Sequence, residues 1–332
     1  MRTTASLLVT GGAGFIGSAF IRFLLHSSDF KGKILNYDVL TYAGNLESLN
    51  GFHNHPRYRF VQGDILNQNL VEKLLLDHEI DTIVHFAAET HVDRSIASAI
   101  PFIETNVKGT LSLLEAVRKF PHIHFHHIST DEVYGSLGES GLFHENSPYR
   151  PNSPYAASKA ASDHLVRAYA QTYGLSTTLS HSSNNFGPCQ YPEKYIPLMI
   201  VNCFQNKPLP VYGRGANIRD WLYVDDHADA IWQIIRFGRK GQTYDVGGNT
   251  ELTNLELLYL LIELIQLEKP GDYHSLIRFV QDRAGHDFRY ALDISKIMNE
   301  LNWRPKISLK DGLIRTIRWY YKIFFRSCAS FK

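Results

Sequence analysis

The residues of this chain best suited to chemistry are a threonine, two adjacent carboxylates and a tyrosine/lysine pair. They lie in Ser129-Thr130-Asp131-Glu132-Val133-Tyr134-Gly135 and in Tyr155-x-x-x-Lys159. Residues four apart on a helix share a face, so Tyr155 and Lys159 can act together. A free tyrosine has a pKa of about 10, and a nearby ammonium stabilises its anion. With a dinucleotide, such a pair takes a proton from an alcohol while hydride leaves. An acid and a base added to the same site allow elimination of water. That division needs Asp131 protonated, which burial or its like-charged neighbour Glu132 would favour. On a regular strand Asp131 and Glu132 would point to opposite faces. The strand must therefore end near Thr130 for both to reach one substrate. The competing reading of the pair is two solvated acids in a loop.

A second constellation stands at the N-terminus. Gly11-Gly12-Ala13-Gly14-Phe15-Ile16-Gly17 follows a predicted strand and opens a predicted helix. Glycines there allow a tight turn and close approach of pyrophosphate to the helix N-terminus, where free N–H groups and the dipole favour anions. The spacing is Gly-x-x-Gly-x-x-Gly rather than Gly-x-Gly-x-x-Gly. Asp38 closes the second predicted strand roughly 20 residues on. A carboxylate there accepts from the ribose hydroxyls of NAD and repels the 2′-phosphate of NADP. Asp64-Ile65 after the third strand either flanks the adenine or forms an ordinary turn with a helix cap.

These residues need a scaffold, and the periodicity supplies one. Strand-like runs are read at 6–10, 33–37, 58–62, 82–86 and 124–128, with helical periodicity at 15–25, 70–76 and 102–118. A helix from Pro154, capped by Ser153, and a strand at 175–179 follow. This alternation implies an α/β fold, a Rossmann-type doubly wound parallel sheet covered on both faces. After about Ser182 the elements shorten, and a smaller mixed α/β substrate lobe is expected. A helix at 228–237 and a strand at 243–246 return to the first lobe. The expected division is 1–182 with 222–250 for the NAD-binding lobe, and 183–221 with 251–332 for the substrate lobe. The aromatic, basic tail from Trp319 reads as a docked helix with a frayed end.

Composition sets outer bounds. The chain has 332 residues, 44% hydrophobic and 20% charged, with a net charge of +1. That balance builds no field for nucleic acid or an anionic membrane, and no apolar run is long enough to span one. Cys189, Cys203 and Cys328 are odd in number and scattered, which suits a reducing cytoplasm better than a disulfide framework. His122, His124, His126 and His127 suggest a metal site at first sight, since 122, 124 and 126 would share a strand face. They precede the chemical loop, and the inferred reaction needs no metal, so they are read as structural or exposed.

The chain resembles the extended short-chain dehydrogenase/reductase family nearly end to end. The resemblance rests on 11–17, Leu40-Thr41-Tyr42-Ala43-Gly44-Asn45, Phe86-Ala87-Ala88-Glu89-Thr90-His91-Val92-Asp93-Arg94-Ser95, 129–135, Tyr155/Lys159, Asn184-Asn185-Phe186-Gly187-Pro188, Pro192-Glu193-Lys194, Arg219-Asp220-Trp221 and Asp282-Arg283-Ala284-Gly285-His286-Asp287. Within the family it points to the carbon–oxygen lyases that dehydrate nucleotide-linked hexoses. The implied cofactor is NAD and the implied substrate dTDP-glucose. Tyr155, with Thr130 and Lys159, would deprotonate the hydroxyl on sugar carbon 4 as hydride passes to NAD. Glu132 would take the proton on carbon 5, and Asp131 would protonate the departing carbon-6 hydroxyl. Hydride would return to carbon 6, giving a 4-keto-6-deoxy sugar nucleotide.

The resemblance also assigns binding residues. NAD would contact Gly11, Gly14, Phe15, Ile16, Gly17, Asp38, Thr41, Asp64, Ile65, Ala87, Ala88, Thr105, Tyr155, Lys159 and Asn184. The sugar nucleotide would contact Thr90, Thr130, Asn184, Asn185, Glu193, Lys194, Pro210, Tyr212, Arg219, Asn254, Arg283, His286 and Tyr290. Arginine suits such a role because its planar fork binds phosphate bidentately; on residue type alone, Arg219 and Arg283 read as surface or ion-pair residues. A homodimer through helices near 102–118 and 153–173 is implied. Departures are small: Thr90 and Phe186 stand where serine and tyrosine are frequent, and Ala284 where proline is usual. The rival activities are UDP-glucose dehydration and sugar-nucleotide 4-epimerisation, which has no need of Asp131 and Glu132. A UDP-glucuronate decarboxylase typically has serine in place of Asp131, and GDP-mannose dehydratase prefers NADP. A rival of another class is a non-catalytic NAD sensor.

Overall fold

The computed structural model describes residues 2–27 and 29–326. Twelve strands are described: β1 Ser6–Thr10, β2 Lys33–Asp38, β3 Tyr58–Gln62, β4 Thr82–His85, β5 His124–Thr130, β6 Ser176–Ser182, β7 Asn184–Phe186, β8 Leu209–Tyr212, β9 Ile218–Tyr223, β10 Thr243–Val246, β11 Glu251–Thr253 and β12 Ile277–Val280. Seven of them form one parallel sheet in the order β10-β6-β5-β4-β1-β2-β3. The expected doubly wound sheet is borne out. Strand ends moved by a few residues: β5 and β6 run further, to Thr130 and Ser182, and β4 stops at His85.

The sheet is apolar on both faces, as parallel sheets are. Leu7 and Val9 of β1 point to one side, where helices Phe15–His26 and Val224–Phe237 cover them through Phe20, Leu24, Ala228 and Ile231. Leu8 points to the other, beneath Leu74 of helix Gln68–Asp77, Leu113 of helix Thr110–Arg118 and Val166 of helix Pro154–Tyr173. The last helix starts at Ser153, whose hydroxyl accepts from Ala156 N at 3.1 Å, and stops at Gly174 with φ +69°.

The helix expected at 102–118 begins two residues earlier and contains a π-helical stretch, Ile103–Gly109. Sequence periodicity cannot show that insertion. Ser162 Oγ and Thr110 Oγ1 both donate to Asn106 O, which accounts for a carbonyl the wider turn would leave exposed.

A second core gathers helices Tyr195–Gln205, Asn254–Glu268 and Leu309–Arg326 around Phe204, Leu261 and Ile317. It is roofed by the sheet β11-β9-β7 and the pair β12-β8. Helix Asn254–Glu268 carries a capping box between Thr253 and Glu256. Tyr290, Leu292, Ile297 and Trp303 pack instead with Tyr244 and Val246 of β10. The tail from Trp319 continues the last helix, and its end, with Cys328, lies outside the described residues.

Candidate active site

The order of the sheet reverses between β1 and β4, and their carboxyl ends open a crevice there. Gly11 turns the chain out of β1 with φ +69°, and a Cβ on it would stand 2.5 Å from Ala87 N. A Cβ on Gly17 would meet Gly11 O at 2.4 Å. Only glycine permits this approach of turn, helix and β4 exit. Gly14 precedes helix Phe15–His26 without a side-chain cap, so the first N–H groups stay free for an anion. Asp38 Oδ2 accepts from Ala13 N at 2.9 Å, and Oδ1 from Leu40 N at 2.8 Å. Burial pushes the Asp38 carboxyl up, and these two N–H groups oppose it. An anion cradle beside an oriented carboxylate fits a dinucleotide.

The crevice is a cavity of ≈ 390 Å³. Gly11, Gly14, Phe15, Ile16, Gly17, Asp38, Thr41, Asp64, Ile65, Ala87, Ala88, Thr105 and Asn184 line it, together with Thr130, Asp131, Glu132, Tyr155 and Lys159. Asp64 also makes a turn, since its Oδ1 accepts from Leu66 N at 2.9 Å. Its turn role and its place on the wall are compatible.

The chemical groups come from three consecutive pieces of chain. β5 ends at Thr130, and Asp131–Tyr134 form a 3-10 turn whose first N–H groups include Glu132 N, bonded to Thr130 Oγ1 at 3.3 Å. The break in the strand turns both carboxylates to one cavity. Lys159 Nζ donates to Ile128 O at 2.7 Å, which ties the Tyr155/Lys159 helix to β5. Burial lowers the Lys159 ammonium to about 8, with Asp163 opposing.

Tyr155 departs from the simple reading of its spacing. Burial and the carboxylates Glu132, Asp131 and Asp163 push its phenol up, and the hydrogen bond with Thr130 counters them. In this state it carries its proton.

The two carboxylates are unlike. Asp131 is 2% exposed, and its Oδ2 is buried without a partner. Burial, Glu132 and Asp220 raise it well above the usual range against Arg219 and the Thr130 hydrogen bond. Burial raises Glu132 too, but Lys194, Arg219 and Arg283 all oppose the rise. Of this coupled pair, Asp131 is the group that holds a proton.

On the sugar side, Thr90, Asn184, Asn185, Glu193 and Lys194 line the cavity. Asn184 Oδ1 is buried without a partner. Asn185 is different: its amide bonds His227, Ser182 Oγ and Ser183 O, so it braces the loop. Glu193 is held by Tyr42, His91 and Arg94, and Lys194 Nζ donates to Thr90 O at 2.8 Å. Pro210, Tyr212, Arg219, Asn254, Arg283, His286 and Tyr290 do not line this cavity. The Arg219 guanidinium lies 4.3 Å from the Tyr290 ring centre, and that of Arg283 4.9 Å from the Tyr212 ring centre. His286 Nδ1 is 2.6 Å from Asp282 Oδ1. Arg219, Arg283 and Tyr290 all act on, or feel, the charge of Glu132. Pro210 pairs with Arg278 across β8 and β12, and Asn254 O accepts from Tyr195 Oη.

Glu89, Gln190 and Tyr191 also face the cavity and were not singled out from the sequence. Glu89 lies within a quoted motif and Gln190 and Tyr191 between two, which is the signal that could have found them. Asn106 clamps Glu89 through its N–H and C=O and bonds Ser158 Oγ. Among the histidines, His124 and His126 bond Thr178 of β6, His127 faces Asp163, and His122 is exposed.

With this geometry in place, the comparisons with known proteins decide the family. A family profile described as GDP-mannose 4,6 dehydratase matches residues 8–316. The chain belongs to this family. It is 51% identical over 331 residues to a dTDP-glucose 4,6-dehydratase of Neisseria gonorrhoeae, covering 95% of each chain. It is similar to the crystal structure of DesIV, a dTDP-glucose 4,6-dehydratase from Streptomyces venezuelae with NAD and TYD bound. That match has a TM-score of 0.90 and 49% identity over 96% of this chain and 97% of the other. A UDP-glucose 4-epimerase from Thermotoga maritima, bound to UDP-glucose, matches with a TM-score of 0.87 but only 27% identity, over 96% and 99%. This member of the GDP-mannose 4,6 dehydratase family thus shares its fold with epimerases and about half its sequence with dehydratases, and the resemblance to extended short-chain dehydrogenases/reductases is borne out.

Proposed function

We propose that the protein is an NAD-dependent dTDP-glucose 4,6-dehydratase, yielding dTDP-4-keto-6-deoxyglucose and water. The observation that carries this reading is the unequal pair of carboxylates beside the Tyr155/Lys159 helix: a buried, proton-holding Asp131 and a Glu132 surrounded by cations. An epimerase has no use for either. NAD, held in the Gly11–Asp38 cradle, supplies a hydride acceptor for carbon 4 and a donor for carbon 6, with no net change.

Tyr155 acts here as the phenolate: the Lys159 ammonium and the positive nicotinamide of bound NAD would bring its raised phenol down, so that it takes the proton of the carbon-4 hydroxyl while Thr130 bonds the phenol oxygen. Lys159 holds a positive charge behind it. The ketone at carbon 4 acidifies the proton on carbon 5, which Glu132 removes. Asp131 gives its proton to the carbon-6 oxygen, and water leaves. Burial excludes bulk water from the acid, which prevents its early ionisation. Asn184, Thr90 and Lys194 bind the sugar side, and Arg219 and Arg283 the diphosphate.

The lobes at 1–182 with 222–250, and 183–221 with 251–332, are part of this reading, though 290–303 pack with β10. A homodimer fits Ile96, Ile100, Ile103 and Leu111, large apolar side chains exposed along 92–118. Among the described residues no helix is long and apolar enough to cross a membrane. Free Cys189 and Cys203 suit a cytoplasmic site.

Incubation with dTDP-glucose in deuterated water tests the reading. Loss of one water with deuterium on carbon 5 is the expected result. Unchanged mass with a galactose product would indicate an epimerase, and water loss from UDP-glucose alone would overturn the base assignment.

A further inference from the structure

Behind the redox pair lies a chain of charged groups that the mechanism above does not use. Asp163, His181 and Asp245 are each 0% exposed. His181 Nε2 is 3.1 Å from Asp163 Oδ2, and its Nδ1 is 3.0 Å from Asp245 Oδ1. Two tyrosines close the ends. Tyr134 Oη donates to Asp245 at 2.9 Å and lies 2.8 Å from His181 Nδ1. Tyr149 Oη donates to Asp163 at 2.9 Å and lies 2.8 Å from His181 Nε2. Burying ions costs several kcal/mol each, so neutral side chains would serve the fold as well.

The chain touches every piece that carries a reacting group. Asp163 is one turn past Lys159 on the same helix. Ser129 Oγ, next to Thr130, donates to Asp163 at 2.9 Å. Tyr134 belongs to the same 3-10 turn as Asp131 and Glu132. The groups also alternate: the His181 ring stands between the Asp163 and Asp245 carboxyls, and Asp163 acts in turn on Lys159. We propose that Asp163, His181 and Asp245 are positioning residues for the reaction, fixing the Tyr155/Lys159 helix against the 129–134 segment and supplying Lys159 with its counter-charge. The inference rests on Tyr155/Lys159 being the redox pair.

The surroundings agree. Burial works against the His181 cation, yet Asp163 and Asp245 hold it at about 9. Burial and the Lys159 charge lower His127 to about 4 despite Asp163, so His127 is neutral. The groups facing Lys159 are therefore Tyr155 and Asp163 on its own helix, His127 on β5 and His85 on β4, both histidines neutral. Those facing His181 are Asp163, Asp245, Tyr134, Tyr149 and neutral His127, with Glu145 beyond Asp245.

The test measures the pre-steady-state appearance of reduced nicotinamide with dTDP-glucose, against pH, on NAD-loaded protein. Asp163→Asn removes the counter-charge, so the alkaline limb of the oxidation rate moves down by about one pH unit, with KM little changed. The double variant His181→Asn/Asp245→Asn removes one charge of each sign and leaves Asp163 facing Lys159 alone, so its limb moves up. Asp163→Glu restores the limb in part. Opposite displacements support the proposal, and a merely structural role does not produce them. An unmoved limb in the double variant overturns it even if Asp163→Asn fails to fold, as do parallel losses at all pH values. If wild-type protein does not reduce NAD with dTDP-glucose, the functional reading itself falls.

Discussion

Asp131→Asn separates the two halves of the elimination. The amide keeps the shape of the carboxyl and its contact with the Thr130 hydroxyl, 3.3 Å from Oδ1, but it cannot donate a proton to a leaving oxygen. Positioned general acids contribute about 10²–10⁴-fold, or ~3–5 kcal/mol of barrier. Water loss should slow by that factor, whereas oxidation at carbon 4 and exchange at carbon 5, which need Tyr155 and Glu132, should continue. The assay follows deuterium incorporation and water loss together, by mass spectrometry in deuterated water. Recovered substrate should carry deuterium on carbon 5 while product lags.

Stability should move the other way. Burial, then Glu132, raises Asp131 in the folded state. Its contribution is therefore complete below the unfolded carboxyl range and is lost as pH rises through the native value. Each pH unit of that rise corresponds to ~1.4 kcal/mol. Asp131→Asn should melt above wild type at neutral pH, and the difference should vanish on acidification. Wild-type water loss should itself decline on the alkaline side as Asp131 ionises. Water loss from the variant at the wild-type rate would refute the reasoning.

Gly11→Ala should destabilise by ~1–3 kcal/mol, since a Cβ there meets Ala87 N at 2.5 Å in a φ +69° turn; melting with and without NAD should show that the added stabilisation by cofactor is lost. Asp38→Ala removes the acceptor for Ala13 N and Leu40 N, so NAD should bind at least about tenfold more weakly by calorimetry and discrimination against NADP should narrow. Ile262→Ala, in the second core and 0% exposed, should cost ~2–5 kcal/mol in denaturant unfolding while leaving KM for NAD unchanged.

The first lobe was legible because each of its features has a short-range cause. Leu7, Leu8 and Val9 form an unbroken apolar run, which only a strand covered on both sides accommodates. The end of β5 was legible for a chemical reason: Asp131 and Glu132 can meet one sugar only if the strand stops at Thr130, and it does. What stayed hidden depends on contacts distant in sequence. His181 and Asp245 are 64 residues apart, and neither has a pattern around it that announces the other. The four histidines near β5 drew attention as a cluster, yet strand alternation sends His126 toward Thr178 and His127 toward Asp163. The role of Asn185 was obscured by its motif, since only the structure shows its amide spent on His227 and two serines. Lys194, Arg219 and Arg283 stood in motifs that marked them for the sugar nucleotide, but nothing local showed that their charge acts on Glu132 of the other lobe.

That last arrangement links binding to chemistry. The cations that oppose the rise of Glu132 are Lys194, Arg219 and Arg283, and on the functional reading they also face the sugar nucleotide. Their field holds down the rise that burial imposes on Glu132, and so makes it a weaker base than burial alone would. An anionic diphosphate drawn to the arginines offsets that field as the sugar arrives, and Glu132 becomes more basic when there is a carbon-5 proton to remove. Asp131 lies deeper, with Arg219 opposing its rise, so the same event favours its proton-bearing form. Substrate binding thus reinforces both the acid and the base, and the anion that does so takes no part in the bond being broken.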